Sequence, residues 1–344
     1  MISDIYLQNC TTRFESVRVV GCADLVKERA EAQAAKYGIE AFTVDEMLDH
    51  PEVELILNIT IPAAHAEVAL AAVSNGKSVY NEKPLTVSAE DGRKLLDLAA
   101  EKGVRVGCAP DTFLGGGLQT VRGLLDSGAI GEPVAASMAY ISRGMEHWHR
   151  DPYFYYQPGG GPLLDMGPYY LTALCSMLGP VRRVAGTARA SFAERTITSQ
   201  PKHGEKIPVN TPTHIVATLE YVSGPLASLA TSFDVWETKH ATLVLYGSEG
   251  TITLPDPNTF GGPVLLLKGG DKEWVEQPLT HGNVDNSRGI GVADMASAMR
   301  EGRPHRASGE MAFHVLEVMH ACLESSLEGR HIELTSRFER PTAL

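Results

Sequence analysis

The sequence of 344 residues lacks several features that mark large classes of proteins. No apolar run approaches the length of a membrane span, and the N-terminus lacks the basic start and apolar stretch of a secretory signal. The net charge of −12 argues against nucleic acid or membrane as a partner, because both select basic surfaces. The five cysteines form no Cys-x-x-Cys pair. They predict reduced thiols and a cytoplasmic protein.

Two phosphate-binding patterns are also missing. No Gly-Lys-Ser/Thr follows the glycines at 159–161, which excludes a P-loop there. A dinucleotide-binding fold begins with a strand and a Gly-x-Gly-x-x-Gly turn, about a dozen residues in all. This chain begins inside the helix that should follow them. Two explanations stay open: a start codon assigned too late, or a product that lacks its first strand.

Strand-like and helix-like segments alternate in the first third of the chain. The β-branched runs 17–24 and 53–59 are separated by an alanine-rich helical segment, 27–37, which Gly38 closes. This alternation predicts a parallel sheet with helices on both faces. The first domain, 1–110, is therefore predicted to have a Rossmann-like parallel α/β fold that is truncated at its N-terminus, and the family resemblance given below implies that it binds NAD(P).

Longer β-patterned runs follow from about residue 111, among them 134–141, 214–222, 226–233 and 241–245. They predict an α+β domain over 111–344 with a mainly antiparallel open sheet, for substrate binding and oligomerisation. Such a sheet leaves one apolar face that needs covering, so a homo-oligomer, either a dimer or a tetramer, is expected.

Lys83 stands in the stretch Tyr80-Asn81-Glu82-Lys83-Pro84, directly after a predicted strand. The carboxyl ends of parallel strands are where doubly wound folds bind cofactor and substrate. Pro84 restricts Lys83 to extended conformations, which aims the ammonium group. A lysine there can polarise a carbonyl or carry a proton. A solvated lysine in a strand-to-helix loop is the alternative.

Asp24 ends the run 17–24 and has two interpretations. An acid at the end of the second strand of a dinucleotide fold accepts hydrogen bonds from the adenosine ribose and repels a 2′-phosphate. Leu25 and Val26 follow it, and no arginine does, which favours NAD while leaving NADP possible. A helix N-cap aspartate explains the same residue, and the two roles can coexist.

Asp165 and Tyr169 follow the glycines at 159–161, which predict a tight turn leading into a helix. Residues four apart share a helix face. A carboxylate and a phenol side by side can hold a substrate hydroxyl and relay its proton. Asp165 can instead be an acid that interacts with the helix dipole.

His147-Trp148-His149 has the spacing of metal ligands, yet a lone His-x-His lacks the third ligand of a zinc or iron site. We therefore predict no metal. A loop that faces the substrate is favoured instead, with His149 as a hydrogen-bond donor or proton carrier.

These motifs resemble those of the Gfo/Idh/MocA oxidoreductases, the family of glucose–fructose oxidoreductase and inositol dehydrogenase. The resemblance covers nearly the whole chain and rests on four stretches: Asn58-Ile59-Thr60-Ile61-Pro62 with His65, Gly76 to Pro84, Gly159 to Tyr170, and Tyr246-Gly247-Ser248-Glu249-Gly250. It implies a Rossmann domain, an open-sheet domain, and hydride transfer between a nicotinamide and a sugar or cyclitol carbon.

The resemblance also implies roles for single residues. Thr60, Pro62, His65 and Glu82 would line the cofactor, with Lys83 by the reacting hydroxyl and Asp165 beside it. Ser3, at the start of the first predicted helix, joins Asp24 and Lys83 as a further cofactor-binding candidate. Tyr169 stands where the family usually has a histidine. Because an unperturbed tyrosine has a pKa near 10, Lys83 or His149 are alternative proton acceptors.

The sequence thus predicts an NAD(P)-dependent oxidoreductase that acts on a CH–OH group of a small polyhydroxylated substrate. Two alternatives stay open. One is a redox-neutral lyase or glycosidase that uses tightly held NAD to oxidise a sugar transiently. The other is a sugar- or nucleotide-binding regulator that kept the cleft and lost the chemistry.

Overall fold

The structure is a computed structural model and describes residues 2–240 and 242–344. Packing divides the chain into two compact units. The first comprises the residues up to Leu114 together with Asp285–Phe313, and the second comprises Gly115–Val284 with His314–Leu344. The domains predicted for 1–110 and 111–344 differ from these units mainly in the segment Asp285–Phe313, which packs with the N-terminal part. The division into domains stays a prediction.

The elements of the N-terminal part alternate as the sequence predicted. In chain order they are α1 Ile2–Thr12, β1 Gly21–Ala23, α2 Lys27–Tyr37, β2 Glu40–Phe42, α3 Val44–Asp49, β3 Leu55–Asn58, α4 His65–Ser74, β4 Ser78–Asn81, α5 Ala89–Lys102 and β5 Val106–Cys108. The helix boundaries follow local chemistry. Gly38 ends α2 in the left-handed conformation, and the Ser88 side chain accepts a hydrogen bond from Asp91 N at the start of α5.

All strand pairs in this unit are parallel, but they form two sheets rather than one. β1 pairs with β2, whereas β3, β4 and β5 form a separate sheet in that order. The parallel sheet predicted from the sequence is therefore interrupted between β1 and β3. β3 to β5 pack with α4 and α5 around one apolar core, whose buried residues include Val73, Val79, Leu95 and Val106.

The remaining elements include longer strands and helices together with a few strands of two or three residues. They are α6 Gly116–Asp126, β6 Pro133–Ile141, α7 Gly161–Leu178, β7 Val181–Arg189, β8 Glu194–Thr196, β9 Lys206–Pro208, β10 His214–Tyr221, β11 Leu226–Ser232, β12 Leu243–Gly247, β13 Gly250–Thr253, β14 Val264–Lys268, β15 Val275–Gln277, α8 Ile290–Glu301, α9 Gly309–Glu328 and β16 Ile332–Glu333. The predicted strand 241–245 corresponds to β12, except that Ala241 lies outside the described residues.

Nine strands of the second unit form one sheet in the order β15-β14-β13-β12-β6-β11-β10-β7-β16. Every pair is antiparallel except β6 with β11, so the sheet is mixed and mainly antiparallel, as predicted. Buried and outward-facing residues alternate along β10, because one face packs on helices such as α7. A hairpin turn at 221–224 joins β10 to β11.

Within the described ranges, no helix has both the length and the apolar character needed to cross a membrane.

Candidate functional site

Lys83 lies directly after the central strand of the three-stranded parallel sheet. β4 ends at Asn81 and pairs with β3 on one side and β5 on the other. The four residues of β4 are buried, whereas Glu82 and Lys83 are partly exposed. The structure therefore has Lys83 at the carboxyl end of a parallel strand, followed by a cis peptide bond to Pro84. Its catalytic role stays a prediction.

Two buried asparagines hold the backbone on both sides of Lys83. Asn58 and Asn81, the last residues of β3 and β4, are register partners, and Asn58 Nδ2 donates to Asn81 Oδ1 at 3.0 Å. Asn81 Nδ2 donates to the carbonyl of Leu85 at 2.8 Å. Glu82 N donates to the carbonyl of Asn58, also at 2.8 Å. The backbone that carries Lys83 is therefore hydrogen-bonded before and after it.

His65 connects the loop after β3 to the loop after β4. Its Nδ1 lies 2.7 Å from the carbonyl oxygen of Pro84, and its Nε2 lies 3.1 Å from that of Thr60. His65 is 1% exposed, and both ring nitrogens face backbone oxygens. The prediction that His65 lines the cofactor is untested. In the structure, its contacts position Thr60 and the backbone next to Lys83.

Glu82 is held by a residue from the first helix. Tyr6 Oη donates to Glu82 Oε1 at 2.8 Å, and Lys83 N donates to Glu82 Oε2 at 2.7 Å. Burial, and then the charge of Glu82, raise the pKa of Tyr6 well above its usual range, so the phenol stays protonated as a donor. The sequence analysis did not identify Tyr6 as a site residue. The available signal was a tyrosine in this helix, because the hydroxyl of a buried tyrosine needs a hydrogen-bond partner.

Asp111 is a second residue that the sequence analysis missed. It is 1% exposed, and its Oδ2 accepts hydrogen bonds from Gly289 N at 2.8 Å and Gly291 N at 3.0 Å. Burial raises the pKa of Asp111 to about 6, against the lowering effect of these two N–H groups. Tyr80 Oη is buried nearby without a hydrogen-bond partner among the described residues, and a Cβ on Gly291 would lie 2.1 Å from it.

The other cofactor candidates of the first unit differ in exposure. Asp24, Thr60 and Pro62 are exposed, and Ser3 is partly exposed in the first turn of α1. One carboxylate oxygen of Asp24, Oδ1, accepts a hydrogen bond from Val26 N at 2.8 Å. Asp24 thus orders the turn before α2, close to the capping role that was the alternative. Its carboxylate is exposed, so a ribose-binding role is compatible with this turn.

Asp165 and Tyr169 both lie on α7, one turn apart, as predicted. Gly161 has φ +88°, and a Cβ there would lie 2.8 Å from the carbonyl of Pro212, so the turn into α7 requires glycine. Asp165 is partly exposed and lies beyond the first helical turn, whereas Tyr169 is buried. Asp165 therefore lies outside the first turn of α7, where an acid that interacts with the helix dipole would be expected.

His149 lies in the loop between β6 and α7. Its Nδ1 accepts a hydrogen bond from Asp151 N at 3.1 Å, and its carbonyl accepts one from Ser199 Oγ at 2.6 Å. Its ring contacts three aromatic rings edge-on, those of Trp148, Phe154 and Tyr155. No group of three or more His, Cys, Asp or Glu side chains in the described part of the chain could hold a metal ion. The substrate-binding role of His149 stays a prediction.

Two family models match the chain. Residues 1–109 match the model described as "Oxidoreductase family, NAD-binding Rossmann fold", and residues 118–253 match the "GFO/IDH/MocA C-terminal domain". Together they cover more than two thirds of the sequence. The chain belongs to the Gfo/Idh/MocA family. This finding confirms the resemblance drawn from the motifs and the prediction of a Rossmann-type fold in an NAD-binding family.

Curated relatives of this Gfo/Idh/MocA chain match it over part of their length. The inositol 2-dehydrogenase of Salmonella typhimurium is 31% identical over 140 residues, which are 39% of this chain and 41% of that enzyme. The 1,5-anhydro-D-fructose reductase of Ensifer adhaerens is 31% identical over 153 residues, 43% of this chain and 45% of that enzyme. The chain thus spans less than half the length of each of these relatives.

Solved structures extend the likeness over the whole fold. An NAD-binding oxidoreductase from Klebsiella pneumoniae superposes with a TM-score of 0.83 at 20% sequence identity, covering 97% of this chain and 95% of that one. At this identity the likeness establishes the two-part fold of the family and nothing about the substrate.

Proposed function

We propose that this protein is an NAD(P)-dependent oxidoreductase. It transfers a hydride between a nicotinamide and a hydroxyl-bearing carbon of a sugar, a sugar derivative or a cyclitol. The observation that carries the proposal is Lys83 at the carboxyl end of β4, with its backbone held by Glu82 and Asn81, in a chain of an NAD-binding family. The names of the relatives, an inositol dehydrogenase and an anhydrofructose reductase, support a polyhydroxylated substrate.

The polar groups at the strand ends of the first unit suit a nicotinamide dinucleotide. The exposed carboxylate of Asp24 can accept hydrogen bonds from the adenosine ribose, and its charge disfavours a 2′-phosphate, so NAD is proposed ahead of NADP. Thr60, Pro62 and Glu82 are accessible at the ends of β3 and β4, and Ser3 is the candidate on α1. When bound, the cofactor supplies the hydride acceptor or donor.

Lys83 is the residue to which we assign the hydroxyl proton. When the carbinol is oxidised, its C–H bond gives up a hydride, the O–H proton passes to a base, and a carbonyl remains. A neutral Lys83 amine accepts that proton, and its ammonium form returns it in the reverse direction. Asp165 and Tyr169 are the second unit's candidates for binding the reacting hydroxyl. His149 is the candidate for binding another polar group of the ring.

The substitution Lys83→Met tests this assignment. Loss of a general acid–base group should lower kcat by roughly 10²- to 10⁴-fold. Lys94→Met, at an exposed position on α5, is the matched control. Initial rates with inositols and aldoses, measured with NAD and with NADP, provide the readout. A Lys83→Met enzyme that keeps kcat within threefold of wild type contradicts the assignment.

The same assay distinguishes the alternative activities. Net NADH that accumulates with product supports the dehydrogenase. Product without net NADH identifies a redox-neutral enzyme that oxidises and re-reduces its substrate. Stabilisation by a sugar without turnover of any substrate in the panel identifies a binding protein.

Self-association through the open face of the nine-stranded sheet is part of the proposal. Val216 on β10 and Leu226 on β11 point outward and are 48% and 58% exposed, and such apolar positions on a sheet face favour a partner surface. A second copy of the chain is the proposed partner. Sedimentation analysis should show a dimer or tetramer that Val216→Glu/Leu226→Glu dissociates and Leu327→Glu, on α9, does not. A monomeric wild type contradicts this part.

The compartment is also proposed rather than established. The five cysteines are free thiols in the structure, which supports a reducing compartment such as the cytoplasm. Thiol labelling directly after cell lysis should find all five reduced.

A further inference from the structure

Arg195, on β8, lies at the centre of a charged cluster in the second unit. Its guanidinium has five N–H donors, and the structure gives partners to all three nitrogens. Nε and Nη2 donate to Glu146 Oε1 at 2.9 and 2.6 Å, and Nη1 donates to Asp234 Oδ1 at 2.8 Å. Nη2 also contacts the carbonyls of Arg143 and Phe233. The three charged side chains are 11%, 11% and 5% exposed for Arg195, Glu146 and Asp234.

Neutral hydroxyls complete the cluster. Tyr156 Oη donates to Glu146 Oε2, and Thr213 Oγ1 donates to Asp234 Oδ2 at 2.6 Å. Each carboxylate therefore has a hydrogen bond on the oxygen that does not face Arg195. The cluster connects four separate pieces of chain: the loop between β6 and α7, which carries Glu146 and Tyr156, then β8, the residue before β10, and the segment after β11. We name these five side chains the Arg195 cluster: Glu146, Tyr156, Arg195, Thr213 and Asp234.

A buried ion cluster is a costly way to obtain stability alone. Desolvation offsets most of the attraction between buried charges, and apolar residues of similar volume often serve as well or better. What a guanidinium between two carboxylates provides in addition is direction, because its planar fork fixes the angle at which each partner approaches. The Arg195 cluster is therefore suited to set the position of a loop.

The loop that it holds is the one that carries His149. Tyr156 Oη accepts a hydrogen bond from Met145 N at 3.2 Å, and the Glu146 carbonyl accepts from the backbone after β8, Thr198 N at 2.9 Å. The carbonyl of His149 is bonded to Ser199 Oγ on that same segment. The aromatic rings of Tyr156 and Phe233 and the side chain of Ile197 form a small buried core beneath this loop.

We propose that Arg195 is a positioning residue that fixes the loop 142–157, and with it His149, for binding the polyhydroxylated substrate. The proposal rests on the proposed function, in which His149 faces the substrate. It assigns to β8 and β9, which the sequence analysis did not predict, the task of holding this loop against the end of the sheet.

The test compares Arg195→Lys with Arg182→Lys. Both substitutions keep the positive charge. Arg182 lies on β7 of the same unit, is half exposed, and pairs with Glu220 on the surface. In Arg195→Lys, hydrogen exchange in the loop 142–157 should become at least tenfold faster. The KM for the substrate should rise at least tenfold, with the KM for NAD and the far-UV spectrum unchanged. Arg182→Lys should leave all of these values at the wild-type level.

Each possible result supports or overturns the positioning role of Arg195. Unchanged exchange in the loop overturns the positioning role, whatever the activity. Faster exchange with an unchanged KM for the substrate shows that the loop does not serve the substrate, and overturns the proposal as well. If both KM values rise and the far-UV spectrum of Arg195→Lys shows a loss of fold, Arg195 has only a structural role and the proposal is overturned. A wild-type enzyme without any turnover refutes the proposed function, while the exchange measurement still decides whether Arg195 fixes the loop.

Discussion

The two units position their candidate residues with different chemistry. In the first unit, a neutral network, the side-chain amides of Asn58 and Asn81, holds the backbone on both sides of Lys83, and Lys83 N donates to the carboxylate of Glu82. In the second unit, the loop of His149 is held by the Arg195 cluster, in which one guanidinium lies between two carboxylates. Both networks are buried, and both fix backbone rather than the candidate side chains themselves.

The difference determines how each network fails. Removing one neutral partner leaves a polar atom without a hydrogen bond, which costs about 1–3 kcal/mol. Removing the single cation from the Arg195 cluster leaves two buried carboxylates without their ion-pair partner, which costs more because each charge is uncompensated. Neutral networks therefore tolerate loss of one member better. The charged network fixes the positions of its partners more strictly, but loss of Arg195 destabilises the whole cluster.

The largest expected effect comes from breaking the charged network with Arg195→Met. We expect the free energy of unfolding of the second unit to fall by about 3–5 kcal/mol, since both carboxylates lose their cation. All three tryptophans, Trp148, Trp236 and Trp274, belong to this unit, so tryptophan fluorescence during urea denaturation reports on it selectively.

Arg182→Met is the control for this measurement. Its ion pair with Glu220 is largely exposed, and such pairs contribute about 0–1 kcal/mol. Equal losses for the two arginine variants would show that burial of the Arg195 cluster has no special energetic consequence, and the contrast between the two networks would disappear.

The second prediction concerns Asp111, a buried carboxylate of the first unit whose Oδ2 accepts hydrogen bonds from two backbone N–H groups. Its pKa is raised from 3.8 to about 6 in the folded protein. The unfolded state is therefore ionised at lower pH than the folded state. This group lowers stability progressively as the pH rises from about 4 to about 6, and its full cost applies above pH 6.

Asp111→Asn should remove that cost. The amide oxygen can still accept from Gly289 N and Gly291 N, which both bond to a single oxygen of Asp111. A pKa raised from 3.8 to about 6 corresponds to roughly 3 kcal/mol, so the variant should be more stable by about that amount at pH 8 and equal to wild type at pH 4. Hydrogen exchange of peptides from 106–114 measures this difference.

The control here is Asp97→Asn, at an exposed position on α5, which should change stability by less than about 0.5 kcal/mol at either pH. A difference between Asp111→Asn and wild type that does not depend on pH would show that Asp111 does not titrate as described.

Much of this architecture follows from local sequence signals. The helix 27–37 has the predicted boundaries because Gly38 ends it, and Lys83 is at a strand end because an apolar run stops at Asn81. Asp165 and Tyr169 share a helix face because a spacing of four residues requires it. These inferences depend on neighbours in the chain, which the sequence displays directly.

The residues that were missed depend on partners far apart in the chain. Tyr6 bonds Glu82 across 76 residues, and Asp111 accepts from Gly289 across 178. β8 and β9 are three residues each, too short to show an alternating pattern, so Arg195 gave no signal. The predicted strand 17–24 shortened to Gly21–Ala23, and β1 pairs with β2 alone. A β-branched run indicates strand propensity, but the length of the strand depends on its pairing with neighbouring strands.

The smallest expected effect comes from the neutral network. Asn81→Leu keeps the approximate volume but leaves Asn58 Nδ2 with the His65 carbonyl as its remaining acceptor, and it leaves the Leu85 carbonyl without its donor. We expect a loss of about 2 kcal/mol in the first unit, read from hydrogen exchange of peptides from 78–87. The double variant Asn58→Leu/Asn81→Leu removes both side-chain partners, so it should cost less than the sum of the two single variants. A double variant that costs the full sum would mean that the two amides act independently. In that case the neutral network would not be a unit comparable with the Arg195 cluster.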